Sequence, residues 1–374
     1  MKNTFGSALQ LSLFGESHGA AVGAVLDGLS PGVPVDREEI ARYLTRRRPK
    51  DALSTARREP DAFQIVSGVH NGRATGTPLC ILIPNTAFRE GDYASSSGVA
   101  RPGHADYTGY VKYRGYAELT GGGHFSGRIT AALVAAGGIV APALRRRGIR
   151  IGTHLRRCAG IDDRAFDPVD PLSELDMLTD RDFPVLDPEA GEAMRTRILA
   201  ARADGDSVGG ILETAVCGMP AGVGEPWFDS VESVLSHALF SVPAVKGVEF
   251  GDGFGLCDLR GSEANDPFCC DGEAVRTRTN RNGGINGGIT NGMPLIFRCA
   301  VKPTPSVFRT QDTVDYRKPC NTELQLAGRH DPCIAHRACV VAEAVTALAL
   351  ADLLCVRFGT DYLNPEREAN EIKE

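Results

Sequence analysis

Thr-Ala-Ala-Leu-Val-Ala-Ala-Gly-Gly-Ile-Val-Ala-Pro-Ala-Leu, residues 130–144, carries no charge. It is shorter than the roughly 20 residues needed to span a bilayer, and Gly137, Gly138 and Pro142 interrupt it. A second apolar stretch, from Ala338 to Val356, is broken by Glu343 and Asp352. Both read as buried helices of a water-soluble fold, predicted near 126–147 and 335–356. Further helices are expected near 188–203 and 229–240 and after Asp36, where Glu39 completes a capping-box pattern and Ile40, Tyr43 and Leu44 point inward. Between them lie strand-like runs at 20–27, 63–69, 79–84, 149–155, 210–217, 245–250 and 293–301, and the alternating Leu9 to Phe14 forms another. Strands and helices come in unequal clusters, which favours an α+β layered fold over a doubly wound parallel sheet. The Asp- and Pro-rich segment 162–188 reads as a surface insertion in a single domain 1–374, with two intertwined halves as the other organisation.

Composition bounds the function. A net charge of -6 and pI near 5.8 argue against a nucleic-acid or anionic-membrane surface, which needs a broad basic excess. Eleven cysteines without a Cys-x-x-Cys pair fit a reducing cytoplasm better than a disulfide framework or a zinc site, so no metal is expected. The N-terminus lacks the apolar block of a signal peptide.

Three polar blocks carry candidate chemistry: Phe-Gly-Glu-Ser-His-Gly at 14–19, Arg-Pro-Gly-His-Ala-Asp-Tyr-Thr at 101–108, and Gly-Arg-His-Asp-Pro-Cys at 328–333. Lying so far apart, they share chemistry only if the chain folds around one cleft, with His18, His104 and Asp331 as candidate acids and bases. Residues 15–19 also match the Gly-x-Ser-x-Gly elbow of serine hydrolases, but the following Ala-Ala-Val-Gly-Ala-Val-Leu continues as a strand rather than a helix. Gly121-Gly122-Gly123, leading into a long helix, reads equally as a plain turn or as a cradle for phosphate. A second glycine-rich block spans 280–289. Arg47, Arg48, Arg128, Arg329 and Arg337 neighbour the special blocks, and guanidinium forks bind phosphate and carboxylate bidentately. Together they point to a polyanionic small-molecule substrate.

The ordered series of blocks resembles chorismate synthase. It comprises 14–19, Arg46 to Pro49, Ser67 to Val69 with 75–78, 101–108 with Lys112 and Tyr113, 121–123, 205–210, 218–226, 244–249, Lys302 to Thr304, and 328–333. The resemblance implies a layered β-α-β sandwich of antiparallel sheets enclosing central helices. It also implies anti-1,4-elimination of phosphate from 5-enolpyruvylshikimate 3-phosphate to give chorismate, with reduced FMN, an external flavin reductant and a homotetramer. In that likeness His18 protonates the leaving phosphate, His104 supplies a proton toward reduced flavin, and Asp331 assists base chemistry at the flavin. Arg47, Arg48, Arg128 and Arg337 would hold the substrate. Ser126, Ala244, Gly287, Lys302, Thr304, Ser306 and Arg329 match flavin-site positions; His124, Phe125 and Pro243 occupy such positions with residues that depart from the usual pattern. The loop after Pro49 also lacks the family's second arginine. The altered 124–129 block leaves open a homologue that binds flavin or a shikimate-like anion without turnover.

Overall fold

The computed structural model describes residues 2–50, 52–55, 59–86, 98–179, 181–326 and 330–364. Its helices are α1 (Arg37–Arg47), α2 (Asp106–Lys112), α3 (Thr130–Arg146), α4 (Leu172–Leu178), α5 (Pro188–Ala203), α6 (Val231–Ser241), the single turn α7 (Gly261–Ala264) and α8 (Ala335–Phe358). Two five-stranded antiparallel sheets form the outer layers. The first runs in the order Thr4–Phe5, Gln10–Gly15, Ala21–Asp27, Leu79–Pro84, Gln64–Ser67; the second in the order Val245–Phe250, Leu295–Val301, Gly210–Cys217, Arg150–Cys158, Ile161–Asp162. Every ladder is antiparallel.

The apolar segments form the middle layer. α3 packs on the first sheet and on α1, α8 packs on the second sheet, and the two long helices lie against each other. Gly127–Arg146, which adds the preceding short turn to α3, and α8 are long and apolar enough to cross a membrane, yet 83% and 94% of their apolar windows are buried inside the fold. The glycine pair explains how α3 fits. A Cβ on Gly137 would lie 2.4 Å from that of Ala344 on α8, and one on Gly138 would lie 3.0 Å from the backbone of Ile40 on α1. Two missing side chains thus let three helices approach closely. Period-two burial seats the first sheet on this layer: Val22, Ala24 and Leu26 alternate inward, as do Leu79, Ile81 and Ile83, all at 0–1% exposure.

The two acids that interrupt the second apolar stretch knit the layers together. Glu343 of α8 accepts both terminal nitrogens of Arg46 at 2.6 Å and the Thr153 amide at 3.2 Å, joining α1, α8 and the second sheet. Asp352 accepts the amides of Ser7, Ala8 and Leu9 at 2.7–3.0 Å, tying down the N-terminal loop. A buried carboxylate with this many donors is satisfied where an unpaired one would be costly. At α1, Asp36 caps the Glu38 and Glu39 amides at 2.8 and 3.4 Å, while Glu39 turns to Arg42 and Arg145 rather than back to the cap.

Residues 163–179 and 181–187 cover the outer face of the second sheet, packing Phe166, Leu175, Leu178 and Leu186 on Ala215 and Ile296. Two hairpins, Phe268–Asp271 with Ala274–Thr277 and Gln311–Asp315 with Cys320–Leu324, stand outside the main sheets.

Candidate active site

The three glycines at 121–123 all have left-handed backbone, with φ of 60°, 96° and 50°. A Cβ on Gly121 would fall 1.8 Å from Cε1 of His18, and one on Gly122 would fall 3.3 Å from Cε1 and Nε2 of His104. The turn therefore needs glycine twice over, for conformation and for the two imidazoles packed against it. A short turn, Gly127–Ile129, separates it from α3. His18 sits between the second and third strands of the first sheet. Ser17 beside it is fully buried, its amide donating to Gly123 O at 3.1 Å, with its hydroxyl 2.9 Å from His18 Nδ1 and 3.2–3.3 Å from the carbonyls of Gly121 and Thr120. The chain after it is strand Ala21–Asp27, so the hydrolase elbow lacks its helix.

His104 arrives on the loop before α2. Its Nδ1 lies 2.9 Å from Asp106 Oδ1, and Arg101 grips the same carboxylate through Nε at 2.8 Å and a terminal nitrogen at 2.6 Å. Burial on its own would raise the Asp106 carboxyl, but hydrogen bonds from Arg101 and His104 outweigh it and hold the group well below the usual carboxylate range.

Gly121 also lines an open cleft whose walls include Arg47, Arg128, Arg337, Asp331, Ser126 and Pro243. One buried carboxylate organises its cations. Asp61 pairs with Arg128, with Arg47 at 3.4 Å and with Arg48 at 3.7 Å. Arg47 also donates to Thr130 Oγ1 at 2.9 Å and Gly127 O at 3.0 Å; Arg128 donates to Asn85 Oδ1 at 2.9 Å. Burial and the neighbouring Arg337 and Arg128 push the Arg47 guanidinium down to about 10 against the pull of Asp61, which leaves it charged at neutral pH. Opposite stands Asp331, which accepts the Thr55 amide at 2.8 Å and Arg337 at 2.7 Å, while Arg337 also donates to Arg47 O at 2.8 Å.

The remaining expected residues divide. Lys302 donates its amide to Ala244 O at 3.0 Å and its ammonium to Gly103 O, so the 302–306 segment runs beside the His104 loop and Pro243-Ala244. Thr304 Oγ1 is buried without a hydrogen-bond partner, and Ser306 is buried nearby. Ser126 caps the amide of Arg128 at 3.3 Å. His124 donates from Nδ1 to Gly15 O at 2.7 Å, and Phe125 packs edge-on to Tyr113. Gly287 is not among the residues lining that cleft; its neighbour Gly288 abuts Ser230 at the start of α6, whereas Pro243, which does line it, follows the end of that helix. Arg329 lies outside the described residues. No role was assigned from sequence to Asp61, Asn85, Arg101 or Asp106; Arg101 and Asp106, within the 101–108 block beside His104, carried a local signal, and Asp61 and Asn85 none.

Comparison with known proteins agrees with this geometry. Residues 9–355 match the family model described as chorismate synthase. Curated relatives named chorismate synthase include one from Thermococcus gammatolerans, 46% identical over 94% of this chain and 97% of its own length, and one from Aeropyrum pernix, 44% identical over 95% and 93%. A solved structure titled "Crystal Structure of Chorismate Synthase" superposes with a TM-score of 0.77 at 28% identity, covering 98% of this chain and 99% of that one. With a site of two imidazoles, an arginine-lined cleft and near full-length relatives of one name, the chain belongs to the chorismate synthase family.

Proposed function

We propose how this chain divides among its residues the reaction of its family, anti-1,4-elimination of phosphate from 5-enolpyruvylshikimate 3-phosphate to give chorismate. The enzyme is a carbon–oxygen lyase acting on a phosphate. The observation that carries the division is the convergence of His18 and His104 on one glycine turn that also lines the arginine-rich cleft. Arg47, Arg128 and Arg337, with Arg48 behind them, hold the phosphate and carboxylates of the substrate. His18 protonates the phosphate oxygen as the carbon–oxygen bond breaks, making a better leaving group. His104 holds a second proton at Nε2, on the Gly122 side. Asp331, fixed by Thr55 and Arg337, is the carboxylate for the base step.

A flavin fits beside these groups. Thr304 offers a buried hydroxyl without a partner, in the segment that Lys302 ties to Ala244, while Ser126 and Pro243 line the arginine-rich cleft. Reduced FMN, when bound, supplies electron density that stabilises positive charge developing on the substrate ring. His124, Phe125 and Ser306 stand close by in sequence, and Arg329 completes the proposed set. The reductant comes from outside the chain. Eleven free thiols suit a reducing cytoplasm. Trp227, Phe228, Phe254 and Phe268, 64–91% exposed, are apolar surface that assembly into a homotetramer would cover.

Replacing His18 or His104 by Ala should lower turnover with reduced FMN by about 10²–10⁴-fold, as expected for a lost acid step, without changing the melting temperature. Loss below threefold in both would overturn the assignment.

A further inference from the structure

We infer that Asp106, clamped by Arg101, is a positioning residue for His104. It fixes the ring proton on Nδ1 and reserves Nε2 as the nitrogen of that ring that exchanges a proton in the site. The inference rests on the proposed role of His104 and extends it to residues with no assigned part.

The geometry is closed on every side. Asp106 is 6% exposed, and its two oxygens receive four donors. Oδ2 accepts the Arg101 amide at 2.9 Å and Nε at 2.8 Å, while Oδ1 accepts an Arg101 terminal nitrogen at 2.6 Å and His104 Nδ1 at 2.9 Å. A planar fork on a planar carboxylate leaves no rotation, so Oδ1 keeps a lone pair aimed at the imidazole. Arg101 also lies 3.1 Å from His104 Nδ1, a contact that follows from their sharing Oδ1. An ionised carboxylate only accepts, so its shorter 2.9 Å contact places the hydrogen on Nδ1, against the Arg101 N–H at 3.1 Å, which would need a lone pair there. Nε2 is left facing Gly122, where a side chain would stand 3.3 Å away. Asp106 takes no proton in this scheme; it stays ionised while the imidazole cycles, as an orienting carboxylate does beside a catalytic histidine.

Asp106→Asn tests this with little change of shape. Its oxygen is drawn to the two Arg101 donors at the Oδ2 position, which turns the amide N–H₂ toward His104 Nδ1. The ring must then accept at Nδ1, and the charged donor form loses its partner. The rate should be measured with full-length protein, reduced FMN and substrate, for native, Asp106→Asn, His104→Ala and the double variant. Asp106→Asn is expected to lower kcat by about 10²-fold with KM within twofold, and to change kcat less than twofold once His104 is Ala, because its effect passes through that ring. Equal losses of kcat in both backgrounds, or no loss in the native one, would overturn the inference while leaving His104 in place. Loss below threefold from His104→Ala would instead remove His104 from the reaction, and this inference with it. Arg101→Lys keeps the charge but not the fork, and its smaller loss of about 5–10-fold should vanish in the same way if Asp106→Asn does not fold.

Discussion

Asp61 shows how single residues set the site. It is a non-glycine residue at φ 50°, 2% exposed, and it gathers Arg47, Arg48 and Arg128 around one carboxylate. Those cations are therefore held in place before any substrate arrives, whereas Arg337 faces the cleft from α8, tied to Asp331. Arg337→Ala should raise KM about 10–100-fold, the loss of one charged hydrogen-bonding partner worth about 1.5–3 kcal/mol, with the fold retained. An unchanged KM would show that Arg337 serves only to hold Asp331. Residue type made the arginines legible in sequence, since guanidinium beside glycine and histidine is a recognisable chemistry. Asp61 was not legible, being one of 47 acidic residues with nothing local to mark it. Its importance comes from tertiary convergence, which no spacing encodes.

Among the elements, the attachment of the segment that starts at Asp163 rests on a buried titratable group. His154, wholly buried on the second sheet, lies between Asp163 at 2.8 Å and Glu213 at 3.0 Å. Asp163 accepts the Leu186 and Asp187 amides at 2.6 and 2.8 Å, and Glu213 accepts that of Phe166 at 2.8 Å. Burial alone would lower the imidazole, but the two carboxylates outweigh it and raise its pKa, so the ring is favoured in its charged form. For a group raised on folding, the stabilisation is complete below the ordinary value near ~6.5 and is lost as pH climbs through the raised folded value. Asp163, held low mainly by His154 against its own burial, remains ionised throughout that range. The melting-temperature gap between the native protein and His154→Gln should thus be largest near pH 6 and shrink toward pH 9. A gap independent of pH would mean that the ring is neutral in the fold. Here too the sequence showed part of the answer. Long periodic elements such as α5, expected at 188–203, were legible to the residue because caps and apolar spacing agree. The seven-residue α2 and α4 and the two outlying hairpins were not, since short elements draw their stability from tertiary contacts rather than from their own pattern.

In the whole molecule, two sheets and a helical middle layer bring residues from Arg47 to Val341 to one cleft, and His18 packs against Gly121 in its wall. The first sheet presents His18, the end of α1 presents Arg47, and the start of α8 presents Arg337 just beyond Asp331. The layered α+β class followed from the order of elements, and the burial of two apolar helices followed from their interruptions. What remained out of reach was that Gly288 abuts Ser230 at the start of α6, because matching a block in order says nothing of which end of a helix it meets. The reaction itself is tested most directly by an anaerobic assay with purified protein, substrate and chemically reduced FMN, following chorismate as it appears. Turnover is expected with reduced FMN and none with oxidised FMN or without flavin. Equal turnover in the absence of flavin would contradict it.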